Sequence, residues 1–261
     1  MNTLFRLREF INYLLHARGI SNMHSPFVYD FMQHVLYDYR HFYAYDEIET
    51  LRNRLLSSKE QVIINDHGAG AQSSSPAVRT ISHLLKTSAS RPRQAQLLFR
   101  IAEHYQCRSI IELGTSLGIS SMYLAASGRK ARVITLEGAH AVADSAIKNF
   151  TALKLPNIEV IAGTFEHTFP VALQQSKKVD LIFFDGNHRK EPTIAYFHQA
   201  LPYTHENSIF IFDDIHWSSG MKEAWEQIKA QEQVTLSIDL FYFGIVFFRK
   251  QLSKQNFLLR F

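Results

Sequence analysis

Ser109-Ile-Ile-Glu-Leu-Gly-Thr-Ser-Leu-Gly-Ile-Ser-Ser121 is the stretch that decides how this chain is read. The apolar run from Ser109 to Leu113 has the length and composition of a buried strand, and the text turns at Gly114 and Gly118 into a helix reaching about Ala126. Glycine at both positions lets the backbone adopt positive φ and approach a ligand closely, while the following helix N-terminus offers free N–H groups to an anion. Nineteen residues past Gly118, a second strand ends in Thr135-Leu136-Glu137. That spacing sets a carboxylate at the neighbouring strand tip, where it can accept hydrogen bonds from two ribose hydroxyls. A glycine turn alone is common; the turn plus the acid points to a nucleoside-bearing ligand. The dinucleotide fingerprint Gly-x-Gly-x-x-Gly is absent, because the loop reads Gly-Thr-Ser-Leu-Gly-Ile-Ser, and this sets nicotinamide and flavin chemistry aside.

Outward from this loop, the text from about Gln94 alternates helix and strand, the signature of a parallel sheet covered on both faces. Strands are expected at Ser109 to Leu113, Arg132 to Leu136, Ile158 to Ala162, Val179 to Phe184 and Ser208 to Phe212, with helices at Ala139 to Leu153 and Met221 to Gln231. Leu236 to Ile238 and Gly244 to Arg249 read as a hairpin closing the sheet. The fold class is therefore α/β: a Rossmann-like, mostly parallel, seven-stranded sheet with helices on both faces and a C-terminal β-hairpin, plus a helical N-terminal cap. The expected boundary lies near residue 90, at Ser88-Ala89-Ser90-Arg91-Pro92, giving a cap over 1–90 and a catalytic domain over 91–261.

The cap region carries apolar residues at helical spacing (Leu4, Leu7, Phe10, Ile11, Leu14, Leu15) and a dense run of aromatic and histidine residues from His24 to Tyr45. These are expected to pack the cap onto the main domain or to face an acceptor. A second acid-glycine text, Asp66-His-Gly68-Ala-Gly70 after Val62-Ile63-Ile64, lacks a later strand ending in an acid, since Thr80 to Lys86 reads as helix; it is taken as a loop bordering the site.

Composition narrows the class. The 261 residues are 46% hydrophobic and 20% charged, which excludes disorder and coiled coil as overall descriptions. A formal charge of +4 from 28 basic and 24 acidic residues is too small and too scattered to indicate a nucleic-acid partner. With one cysteine, Cys107, no intramolecular disulfide or cysteine-based zinc site can form, which fits a reducing compartment and a cytoplasmic protein. Arg6, Arg8, Glu9 and Arg18 interrupt the first twenty residues, so neither a signal peptide nor a membrane span is expected there.

The chemistry is expected at two further strand tips: Asp185-Gly-Asn-His188 after the fourth strand and Asp213-Asp214 after the fifth. In an open α/β sheet these tips face the crevice at the carboxyl ends of the strands. An oxygen-rich set of this kind suits Mg²⁺, Ca²⁺ or Mn²⁺. Histidine is the residue type suited to accepting a hydroxyl proton, and its position three residues past Asp185 ranks His188 above His167, His198, His205 and His216.

The acid-x-Gly-x-x-x-Gly text at Glu112, Gly114 and Gly118 resembles the first motif of class I S-adenosylmethionine (SAM)-dependent methyltransferases. That resemblance implies SAM as cofactor, with Glu112, Gly114, Thr115, Ser116 and Gly118 in the loop against its methionine moiety. It implies Glu137 on the ribose, Gly163 and Thr164 with Phe165 edging the adenine, and Asp185 near the donor. Asp185 followed 28 residues later by Asp213 and Asp214 resembles the catechol and caffeoyl-CoA type O-methyltransferases, in which an Asp and an Asp-Asn pair hold a metal; here Asp214 stands where that family has Asn. Asp185-Gly-Asn-His188 also resembles the Asp-Gly-x-His branch of class I methyltransferases, whose members need not bind metal.

The expected reaction is O-methylation of a small-molecule hydroxyl, with His188 and Asp185 as catalytic residues and Asp185, Asp213 and Asp214 as candidate ligands of a divalent cation. An Asn/Asp-Pro-Pro-Tyr/Phe text, which would indicate adenine amine methylation, is absent. Methylation of RNA or protein, and SAM sensing without turnover, remain the competing readings, because fold does not settle function.

Overall fold

The computed structural model describes residues 2–64 and 77–261. The chain begins with α1 (Asn2–His16) and α2 (Pro26–Phe31), whose last turn widens into a π-helical segment, Met32–Leu36. Pro26 starts α2 without sacrificing a needed N–H, and the Ser25 hydroxyl accepts from Val28 N. Then follow α3 (Tyr43–Leu56), the antiparallel pair β1 (Gln61–Ile64) and β2 (Ala77–Thr80), and α4 (Ile81–Ser88), capped by the Thr80 hydroxyl on His83 N. The N-terminal ninety residues are therefore mostly helical but contain a two-stranded sheet, of which the β-branched Val62-Ile63-Ile64 is one strand. The loop Asp66 to Gly70 lies outside the described residues.

The alternating part comprises α5 (Pro92–His104), β3 (Ser109–Leu113), α6 (Ile119–Ala126), β4 (Arg132–Glu137), α7 (His140–Ala152), β5 (Ile158–Ala162), α8 (Phe165–Ser176), β6 (Leu181–Phe184), α9 (Lys190–Ala200), β7 (Ile209–Phe212), α10 (Ser219–Ala230), β8 (Leu236–Asp239), β9 (Gly244–Phe247) and β10 (Gln255–Leu258). The strand order is β10-β8-β9-β7-β6-β3-β4-β5. Parallel pairing joins β3 to β4, β4 to β5, β6 to β7 and β8 to β10, while β9 runs antiparallel to β7 and β8. The expected mostly parallel sheet and its closing hairpin are present, but the sheet has eight strands rather than seven. The eighth, β10, was passed over because Gln255-Asn256-Phe257-Leu258 is polar at its start and lies at an edge, where burial imposes no apolar run.

The chain clusters into two compact units: Met1–Tyr37 with Lys177–Phe261, and Asp38–Ser176. In the first, Phe27 and Phe31 set their edges against Phe247, and Tyr13 and Phe10 pack on Phe241. In the second, Phe42 and Tyr45 pack on Phe99, and Tyr45 meets Tyr123. Much of the aromatic run from His24 to Tyr45 is thus core; Tyr39 and Tyr43, 86% and 91% exposed, are not. Cys107 is buried just before β3. No helix among the described residues is long and apolar enough to cross a membrane.

Candidate active site

In the Asp38–Ser176 unit, the loop between β3 and α6 is shaped by its backbone. Gly114 and Gly118 adopt φ of 103° and 82°, and Ser116 between them is also left-handed at 47°. A Cβ at Gly118 would stand 2.2 Å from the Phe150 ring, so φ and close approach both require glycine there. The N–H groups of Gly114 and Thr115 both donate to Leu136 O, at 3.0 and 3.1 Å, which ties the loop to the end of β4. Asn149 Nδ2 of α7 donates to Leu117 O at 3.0 Å, and the Ser88 and Ser116 hydroxyls meet at 2.8 Å.

The Glu137 carboxylate, at the tip of β4, accepts from Ser116 N at 2.8 Å through Oε2 and from Ala139 N at 3.0 Å through Oε1. An acid anchored by two backbone donors is fixed in direction, and each oxygen keeps acceptor capacity for a ligand hydroxyl. Gly163, at φ 141°, donates its N–H to Glu137 O. Thr164 follows as the cap of α8: its carbonyl accepts from His167 N and Thr168 N, and its hydroxyl meets His167 Nδ1 at 2.9 Å. Glu137, Ser116 and Gly163 therefore share one ledge.

Beneath the loop lies a buried polar cluster. Glu112 is fully buried and accepts from the hydroxyls of Ser121 and Thr135; Thr135 also meets the Thr115 hydroxyl at 2.7 Å. Burial pushes the Glu112 carboxyl up to about 6 against the pull of these hydroxyl donors. Glu112 and the Thr115 side chain thus support the loop from below rather than line its outer surface.

The acids belong to the other unit. Asp185 and Asp213 follow the paired strands β6 and β7, and Asp213 N donates to Phe184 O at 3.0 Å. Asn187 and Asp214 take left-handed conformations, φ 58° and 53°, which Asn and Asp tolerate better than other side chains. His188 Nε2 stands 3.8 Å from Asp185 Oδ1, with about a third of its side chain open to solvent. The Asp213 carboxyl is buried, within hydrogen-bonding reach of Asp185 and near His188, and burial together with the Asp214 charge pushes it up to about 6. Its Oδ1 has no hydrogen-bond partner.

A buried carboxylate oxygen without a partner, beside Asp185, is the donor chemistry a hard divalent cation takes. Among the described residues, however, no three His, Cys, Asp or Glu side chains converge in a metal-holding arrangement. Asp185 lies beside His188 on one side and Asp213 on the other, and a three-carboxylate cage is not formed.

Sequence reasoning passed over one set of residues. His216, two positions after Asp214, is nine-tenths buried; its Nε2 meets Asp239 Oδ2 at 2.9 Å and its ring stacks on Phe241. Glu9 of α1, 4% exposed, lies 3.8 Å from the other ring nitrogen and accepts from Lys222 Nζ at 2.6 Å. This network anchors the loop carrying Asp213 and Asp214. The only hint in the text was Glu9 among apolar residues, and its partners lie more than two hundred positions away.

Residues 111–215 match the family model described as "Methyltransferase domain". A catechol O-methyltransferase of Mycobacterium tuberculosis is 28% identical over 131 residues, covering 49% of this chain and 58% of that protein, so the chain spans little more than half the length of this curated relative. Among solved structures, the O-methyltransferase from Bacillus cereus in complex with SAH aligns with a TM-score of 0.56 at 20% identity, covering 83% of this chain and 96% of that one. The O-methyltransferase TomG from Streptomyces achromogenes in complex with SAM aligns with a TM-score of 0.54 at 22% identity, covering 62% and 82%.

Proposed function

We infer that this chain, whose core has the class I SAM-dependent methyltransferase fold, transfers the methyl group of SAM to a hydroxyl oxygen of a small molecule. The observation that carries the reading is the Glu137 carboxylate fixed by Ser116 N–H beside the left-handed loop from Gly114 to Gly118. In this reading Gly114, Thr115, Ser116 and Gly118 contribute backbone to the methionine end of the donor, Glu137 holds the ribose, and Gly163 and Thr164 border the adenine. The helical N-terminal segment, residues 1–90, shapes the acceptor side; its support is the aromatic-rich stretch from His24 to Tyr45, of which Tyr39 and Tyr43 remain exposed. A cytoplasmic location is supported by the single, buried thiol.

A methyl sulfonium is already activated, so the protein must align the nucleophile with the S–CH₃ bond, exclude water and accept a proton. His188 takes the acceptor's hydroxyl proton at a ring nitrogen, and the Asp185 carboxylate stabilises the imidazolium that results. Asp185 and Asp213 are the carboxylates that would contact a divalent cation such as Mg²⁺, which would lower the pKa of a bound hydroxyl; among the described residues Asp214 closes no cage with them. The Asp213 Oδ1 atom supports this.

Calorimetric titration with SAM, S-adenosylhomocysteine, NAD and FAD, followed by methyl transfer from labelled SAM to a catechol with Mg²⁺ or EDTA, tests the reading. SAM and S-adenosylhomocysteine are expected to bind, and Asp185→Ala and His188→Ala to abolish turnover while donor affinity stays within a few-fold. Binding of NAD alone would overturn the assignment, and loss of donor affinity in both variants would make these residues donor contacts.

A further inference from the structure

α1 has two faces of opposite character. One is inserted into its own unit: Glu9 and Tyr13 are buried, Glu9 grips Lys222, and the Tyr13 hydroxyl donates to Leu259 O at 2.8 Å. The other is apolar and bare. Leu4, Leu7, Ile11, Leu14 and Leu15 are 78%, 54%, 49%, 45% and 76% exposed. The first four recur at intervals of three, four and three, the alternation that lines one narrow seam along a helix and that a second helix fills by knobs-into-holes packing.

We propose that this seam is the contact between two copies of the chain, each laying α1 against the α1 of the other about a twofold axis. Three arguments select this occupant. A twofold contact uses the same patch on both sides, and an apolar seam without charges in its line is complementary to itself. The five side chains leave roughly 500 Å² in solvent on each copy, so a pair would bury about 1,000 Å², the threshold of a specific interface. The seam is also narrow: Arg8, Asn12 and His16 are exposed beside it, whereas a helix lying in a lipid surface presents a broad apolar face. The inference does not rest on the assigned reaction.

The test is sedimentation velocity on the full chain from 1 to 50 μM. The wild type is expected to sediment at twice the chain mass of 30.1 kDa, and Leu7→Glu/Ile11→Glu as a monomer, with its dimer dissociation constant raised at least a hundredfold. Both substituted positions are half-exposed, so far-UV circular dichroism and melting temperature should match the wild type. If that variant misfolds, Leu4→Ser/Leu15→Ser, at the two most exposed positions, should weaken the dimer at least tenfold and gives the same reading. A wild type that stays monomeric, or a dimer that survives both pairs of substitutions, overturns the proposal. So does flotation of a monomeric wild type with anionic phosphatidylserine vesicles that Leu7→Glu/Ile11→Glu abolishes, which assigns the seam to a membrane surface.

Discussion

The loop from Gly114 to Gly118 and the acid loops at Asp185 and Asp213 end neighbouring kinds of strand, yet they are held in opposite ways. The glycine loop is tied down at several points: Leu136 O accepts two N–H groups, the Glu137 carboxylate accepts the Ser116 N–H, and Asn149 Nδ2 donates to the Leu117 carbonyl. The shape is built before any ligand arrives. At the acid loops a carboxylate oxygen of Asp213 is buried without a partner beside further acids, an arrangement that costs stability until something positive or protonated completes it. The glycine loop is fixed by backbone geometry; the acid loops store electrostatic tension.

The largest test of this contrast is Gly118→Ala. Strain at φ 82° and the clash with Phe150 should together cost at least about 3 kcal/mol of stability and lower SAM affinity tenfold or more, read by thermal denaturation and calorimetry. A variant that keeps wild-type stability and affinity would show that the loop does not depend on glycine geometry.

Asp213→Asn should do the reverse, which sharpens the comparison. Replacing a buried, partly unpaired carboxyl by a neutral amide should raise stability in EDTA by about 1 kcal/mol. Turnover should fall at least about a hundredfold while SAM affinity changes little. Lower stability together with retained turnover would place Asp213 in a structural role.

A third test lies beneath the glycine loop and leaves turnover aside. Burial raises Glu112 from 4.5 in the unfolded chain to about 6 in the folded protein, so the folded state holds its proton more tightly. Its contribution is complete below pH 4.5 and is lost as the pH rises through about 6, a change on the order of 2 kcal/mol. The difference in unfolding free energy between wild type and Glu112→Gln should trace this step, and a difference flat from pH 4 to 8 would contradict it.

How much of this was legible follows the same division. Strand β3, the turn at Gly118 and the acid at the end of β4 could be read because each depends on a few adjacent residues: an apolar run, a glycine, a spacing. Ser88, Asn149, Glu9, His216 and Asp239 could not be read as partners of the site. A serine or histidine has many uses, and only chain reversal brings Ser88 to Ser116 or Glu9 within 3.8 Å of His216. Strand β10 escaped for a related reason: Gln255 and Asn256 have little strand propensity, and their extended form rests on ladder bonds to β8.

The sequence by itself determined an α/β sheet, a turn calling for glycine at 114 and 118, and the set of acids after two strands, because periodicity, backbone conformational freedom and residue chemistry are local. Only the tertiary structure decided that α1 joins the C-terminal elements, that Glu112 sits below the loop while Glu137 stands at its ledge, and that Asp213 is left with a bare oxygen. Those outcomes depend on which distant groups share a buried volume, and burial, unlike spacing, is a property of the folded chain.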